Sequence, residues 1–267
     1  MFRFFQWLRD AWNYLVTEQW AIIHNERAPG SDKKIHYDAL LLLCWAAVAL
    51  TFLEYYGHSG SIFYRWFRKI LPDSQYSPVY RHIYWSVACS TAYFVLPLLT
   101  IFFNRKKMRL RDYGLSTKGF FHHAWIYVVL FLIVLPAVIF VSYTPSFQNT
   151  YPFYHLSHRS YMDIGLWWVF YGMQFLFLEF FFRGYLLHGT KHALGVYSIF
   201  VSSVPYCMIH YGKPMPETLG AIIAGVALGT LSLRTQSVWS GFLIHISVAY
   251  SMDVLSLWQK GKFSLFM

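Results

Sequence analysis

The sequence predicts an all-α protein: a polytopic transmembrane helix bundle of about seven spans with an N-terminal interfacial helix. Three observations carry this. Of 267 residues, 57% are hydrophobic and only 13% are charged, against about 25% charged in soluble domains. Seven apolar runs, at 38–56, 83–103, 124–143, 164–188, 194–211, 217–233 and 236–257, approach or reach the roughly 17 to 25 residues that cross a bilayer. Aromatic residues make up 21% of the chain, and many cluster near the run ends, as interfacial belts do.

Residues 1–24 are apolar but interrupted by Arg9, Asp10 and Glu18. That pattern lacks a clean signal-peptide core and reads as an amphipathic helix lying in the interface, within an N-terminal segment of 1–36. Three supporting spans follow in 37–143, then a four-span core in 160–257. The 217–233 run is short and rich in Gly and Ala. Gly225 and Gly229 give it a GxxxG spacing suited to close helix contact. Cys44, Cys89 and Cys207 lie in apolar runs with no CxxC, the pattern of inert core thiols.

Loop charge sets the expected orientation. Arg105, Lys106, Lys107, Arg109, Arg111 and Lys118 crowd the loop 104–123, whereas 144–163 holds Arg159 alone. The first loop should be cytoplasmic and the second external, which places the N-terminus, with Arg3, Arg9, Arg27, Lys33 and Lys34, inside. The loop 57–82 holds four basic residues on the external side and could carry a second interfacial helix. The net charge of +10 suits an anionic lipid bilayer. With no nucleic-acid motif, it does not point to nucleic acid.

Intramembrane polar groups concentrate in the last four runs. Glu179 stands in Phe175-Leu-Phe-Leu-Glu179-Phe-Phe-Phe-Arg183, where a lone carboxylate costs roughly 2.5 to 3.5 kcal/mol on insertion scales. Arg183, at i+4, shares its helical face. Burial favours the neutral acid and Arg183 favours the carboxylate, an opposition useful in a general base but equally consistent with a pair that pins helices. Tyr206 and His210 share a face at i, i+4. His245 lies among apolar neighbours on another run. Asp253 follows it by eight residues, about 12 Å along a helix and about 80° around it; it either supports His245 indirectly or caps the pocket. Glu217, after Tyr211-Gly-Lys-Pro-Met-Pro, completes the set.

Other signals are weak. His155, His158 and Asp163 have metal-ligand residue types but sit in a loop, and His122-His123 reads as interfacial. HExxH is absent. The glycine pattern at Ser240-Gly241 does not match an intramembrane serine protease of the rhomboid type. There is no inverted repeat of the kind seen in transporters.

Glu179-Phe-Phe-Phe-Arg183, then Tyr206-x-x-x-His210, then His245, in order on successive runs, resembles the CPBP family, the CAAX protease and bacteriocin-processing (Abi) group of intramembrane proteases. The resemblance covers about 160–257. It implies an intramembrane endopeptidase that cleaves a membrane-associated protein or peptide. Glu179 and His210 would activate water, His245 would stabilise the oxyanion, and Arg183 and Tyr206 would support them. Glu217 and Asp253 are added on physical grounds alone. No cofactor is certain. A divalent metal is left open, and if one binds, Glu179, His210 and His245 would hold it. The family's diversity implies a bacterial plasma membrane.

Two positions depart from the family's pattern. Leu178 stands where the first of two paired glutamates is usual, and Ala249 stands four residues after His245, where Asn or another polar residue is usual. These keep an alternative open: a catalytically impaired relative acting as a binding, assembly or immunity protein. Substrate identity, prenyl dependence and oligomeric state are not legible in the sequence.

Overall fold

The computed structural model describes residues 2–19, 22, 36–58, 60–103, 109–117 and 124–262. Arg27, Lys33, Lys34, Arg105, Lys106, Lys107, Lys118, His122 and His123, used above for orientation and interface, lie outside them. The described residues form helices, turns and loops, with no strand among them. They comprise α1 (Phe2–Trp12), α2 (Tyr37–His58), α3 (Ser77–Phe102), α4 (Trp125–Ser142) and α5 (Tyr161–Leu194). After these come α6 (Tyr197–Met208), α7 (Met215–Thr235) and α8 (Trp239–Gln259).

Six of these, α2 to α5, α7 and α8, are long and apolar enough to cross a membrane. The polytopic helical bundle is therefore borne out, with one difference. The run 194–211 forms α6, only 12 residues long. At 1.5 Å per residue it extends about 18 Å, well short of a hydrocarbon core of about 30 Å. Gly195, at φ 57°, ends the preceding helix, and a turn over 209–213 follows. The apolar run thus includes residues that are not helical.

The chain divides into two compact units. The first comprises Met1–Ala46, Thr100–His123 and Glu179–Gly241; the second comprises Ala47–Leu99, Ala124–Leu178 and Phe242–Met267.

In the first unit α6 packs on α7. Leu187, Ile199 and Leu233 form a buried cluster, joined by Val196 and Val226. The GxxxG spacing has the expected use. A β-carbon at Gly225 would come within 2.8 Å of Ser203 Oγ, and one at Gly229 within 3.2 Å of Ile199. The loop before α4 is tied to the start of α8: Val238 N donates to Gly114 O at 3.0 Å, and Ser237 Oγ to Ser116 O at 2.7 Å. At the N-terminus α1 exposes Phe4, Phe5, Trp7, Leu8 and Trp12, the side chains an interfacial helix requires. The helical segment after α1 meets α7, where Arg234 Nη1 reaches Glu18 at 3.2 Å and the guanidinium lies over the Tyr14 ring.

In the second unit, Trp167 stacks on Tyr171 at 4.3 Å beside Trp85 and Tyr154. Ser86 Oγ donates to Phe170 O, fixing α3 to the N-terminal half of α5. Phe147, Tyr151 and Met252 form a second cluster. Exposed Val128, Leu132, Ile133 and Phe140 run along α4. Only 22% of its apolar stretch is buried, against 56% for α5. α4 therefore has the exposed apolar surface of a lipid-facing helix, while more than half of the apolar stretch of α5 is buried. A short helical segment, Phe63–Phe67, lies in the loop after α2.

Candidate active site

Glu179 is the last residue of the regular part of α5. From Phe180 to His188 the helix widens from i→i+4 to i→i+5 hydrogen bonding. Wide turns of this kind occur often at functional sites. Every residue in this stretch is buried, including Phe180, Phe181 and Phe182 with no exposed surface. The apolar wall explains why a carboxylate here needs a partner. Arg183 Nε lies 3.5 Å from Glu179 Oε2, both side chains being essentially inaccessible. That distance is an ion pair, longer than a well-formed hydrogen bond.

The contacts continue onto α6. The Arg183 guanidinium carbon stands 4.0 Å above the centroid of the Tyr206 ring, a cation–π arrangement in a dry site. Phe182 meets the same ring edge-on at 5.4 Å. One turn later the His210 ring lies 4.8 Å from that of Tyr206. His210 Nδ1 is 2.7 Å from the Tyr206 carbonyl oxygen. A carbonyl only accepts, so Nδ1 carries the proton and the basic lone pair of the neutral ring is on Nε2. The turn holding His210 is fixed by Thr218 Oγ1 donating to His210 O at 2.9 Å. The first unit therefore gathers Glu179, Arg183, Tyr206 and His210 through successive contacts.

Gly241 is the site residue that sequence reasoning missed. A β-carbon there would overlap the Glu179 carboxylate, coming within 2.9 Å of its Cδ. The first turn of α8 thus lies directly on the carboxylate, and only glycine leaves the room.

The remaining residues of the set have partners of their own. His245, one turn after Gly241 along α8, is in the second unit, where its half-buried ring packs on Phe175 at 4.4 Å between centroids. Asp253, also in the second unit, is buried. It accepts from Trp167 Nε1 at 2.7 Å and Trp168 Nε1 at 3.3 Å, both at Oδ2. Glu217 Oε1 is engaged by Lys213 Nζ at 2.8 Å, a clip across the turn that follows His210. Asp163, expected in the loop before α5, lies instead in the first turn of α5, where it is occupied by Tyr154, Arg159 and Ser160. It anchors that loop with a set of donors. Leu178 and Ala249, where the pattern departs from the family, are both buried.

Residues 160–251, about a third of the chain, match the family described as type II CAAX prenyl endopeptidase Rce1-like. The match spans Glu179, Arg183, Tyr206, His210, Gly241 and His245, and it bears out the resemblance to CAAX proteases carried by the motifs. No curated protein and no solved structure matches.

Proposed function

We propose that this integral membrane protein is an endopeptidase that hydrolyses a peptide bond in a membrane-associated protein or peptide. The observation that carries the reading is the buried Glu179–Arg183 pair joined through Tyr206 to His210. This places a carboxylate and a tautomerically fixed imidazole in one dry, preorganised group. The family match supports the reaction class. Its description as a prenyl endopeptidase supports a lipid-anchored substrate segment presented from the bilayer.

Glu179 takes the proton of an attacking water, and Arg183 holds its carboxylate in place. With Nδ1 donating to the Tyr206 carbonyl, His210 offers Nε2 to orient that water. The water oxygen bonds to the scissile carbonyl carbon. The proton held by Glu179 passes to the departing amine as the carbon–nitrogen bond breaks. His245 is assigned to the developing oxyanion by the family's pattern. One carboxylate and two imidazoles have the chemistry of a catalytic zinc set. However, the Arg183 cation already faces Glu179 Oε2, and no step above needs an ion.

A bacterial plasma membrane with a cytoplasmic N-terminus is the proposed setting. The runner-up is an impaired relative that binds or protects a partner. Leu178 and Ala249 favour it, being apolar where the family's polar groups stand. Comparing purified wild type, Glu179→Gln and His210→Ala on a lipid-anchored peptide separates the two. The protease reading expects cleavage lost in both variants. Equal activity in all three sinks the Glu179/His210 protease reading, and a cellular phenotype that survives Glu179→Gln but is lost on unfolding favours the runner-up.

A further inference from the structure

Away from Glu179, the first unit gathers three side chains of metal-ligand type from distant parts of the sequence. His36 and Asp38 stand at the start of α2, and His192 stands in the last turns of α5. Each offers one ligand atom, and the three atoms lie within 4.8 Å of one another. Asp38 Oδ2 is 2.8 Å from His192 Nε2. The two imidazole rings meet edge-on, 5.4 Å between centroids. All three residues are half-buried, so a small ion can reach them while the surroundings hold them in place.

We propose that His36, Asp38 and His192 bind a divalent transition-metal ion of the zinc type. Bond lengths of about 2.0 to 2.2 Å put neighbouring ligand atoms of a tetrahedral site roughly 3.3 to 3.5 Å apart. The Asp38–His192 approach is shorter than that and opens slightly on binding; no spacing exceeds 4.8 Å, so any closure is at most about 1.5 Å, within reach of side-chain rotation. Two imidazoles and one carboxylate suit zinc, cobalt or nickel, whereas calcium and magnesium prefer all-oxygen shells. Three protein ligands leave a fourth position for water. An Asp–His ion pair alone would need only one histidine, and the convergence of His36 on the same point is what an ion uses.

The backbone beneath is already set. A β-carbon at Gly189 would come within 2.8 Å of Leu42 and 3.2 Å of Tyr113, so α5 and α2 are packed there at close range. Leu42 lies one turn after Asp38, and Gly189 one turn before His192, which puts the three ligands just beyond a rigid contact. The ion would act as a clasp across a long chain loop, at the end of the helix that carries Glu179 and Arg183.

The test is a cobalt titration of the full-length protein, purified in detergent and stripped with chelator, followed by competition with zinc. Wild type and a Glu179→Gln/His210→Ala/His245→Ala background should both bind one equivalent, with visible bands of tetrahedral intensity. His192→Ala and His36→Ala should weaken binding by about tenfold or more, since even groups that only orient a ligand cost about 10- to 100-fold in metal affinity when lost. His36→Cys should retain the ion and gain a thiolate-to-cobalt charge-transfer band, a signal that misfolding cannot imitate. The proposal is overturned if wild type shows no saturable binding. It also fails if binding vanishes in the triple background while surviving in the His36 and His192 variants, or if His36→Cys folds and gains no such band.

Discussion

Gly241, in the first turn of α8, rests against the carboxylate of Glu179 so closely that a β-carbon there would overlap it. The catalytic group proposed from one helix is therefore positioned by the backbone of another. Gly241→Ala should move the carboxylate by a substantial fraction of an ångström. Misplacement on that scale costs about 100-fold in rate. Cleavage kinetics of Gly241→Ala, with circular dichroism confirming an intact helical fold, check this. Near-wild-type turnover would show that Glu179 tolerates displacement and is not the base.

Arg183 is buried against Glu179, so removing one partner leaves the other as an unpaired charge in an apolar wall. Arg183→Ala should destabilise the protein by about 3 to 5 kcal/mol. The double variant Glu179→Gln/Arg183→Ala should lose less than the sum of the single losses. Thermal unfolding in detergent gives the coupling directly, and strict additivity would deny the pair.

Tyr206 contributes its ring to Arg183 and its backbone carbonyl to His210. Tyr206→Phe keeps both and gives up only the hydroxyl that Arg183 meets, so it should lose less activity and stability than a change that removes the ring. Tyr206→Leu keeps the carbonyl but loses the aromatic face, and should cost about 1 to 2 kcal/mol. Chemical denaturation of the two variants side by side measures the difference.

Gly225→Val would force a branched side chain into Ser203 across the α6–α7 contact. Overpacking of this kind typically costs about 1 to 3 kcal/mol. Because α6 carries Tyr206 toward His210, activity should fall along with the melting temperature. Unchanged melting would mean that the two helices do not need their close approach.

His155 and His158, in the loop before α5, both have pKa values below the ordinary 6.5. Burial is the main cause, followed by Lys260 and Lys262 for His155, and by Lys262 for His158. The unfolded chain therefore binds more protons than the folded one between the folded values and 6.5. Stability should rise with pH through that window and level off above it. Melting temperatures at mildly acid and neutral pH should differ in wild type and differ less in His155→Gln/His158→Gln.

Much of this organisation was legible in the chain. The long apolar runs gave six spans because a bilayer demands about 20 apolar residues whatever their order. The Glu179–Arg183 pair followed from its i, i+4 spacing. The extent of α6 did not, because apolar character continues past Met208 into a turn that composition alone does not reveal. Gly241 was hidden because its significance depends on which helix lies across it. Asp253 was read against His245, its neighbour in sequence, yet its donors Trp167 and Trp168 lie 86 and 85 residues away. The same distance in sequence concealed the grouping of His36, Asp38 and His192.

The central claim is that Glu179 and His210 deliver water to a peptide bond. The most direct measurement is mass spectrometry of a lipid-anchored peptide cleaved in proteoliposomes in heavy-oxygen water. Wild type should release a fragment whose new carboxyl terminus carries one heavy oxygen, while Glu179→Gln and His210→Ala, folded and reconstituted equally, should release almost none. Release of the labelled fragment by Glu179→Gln at the wild-type rate would contradict the account.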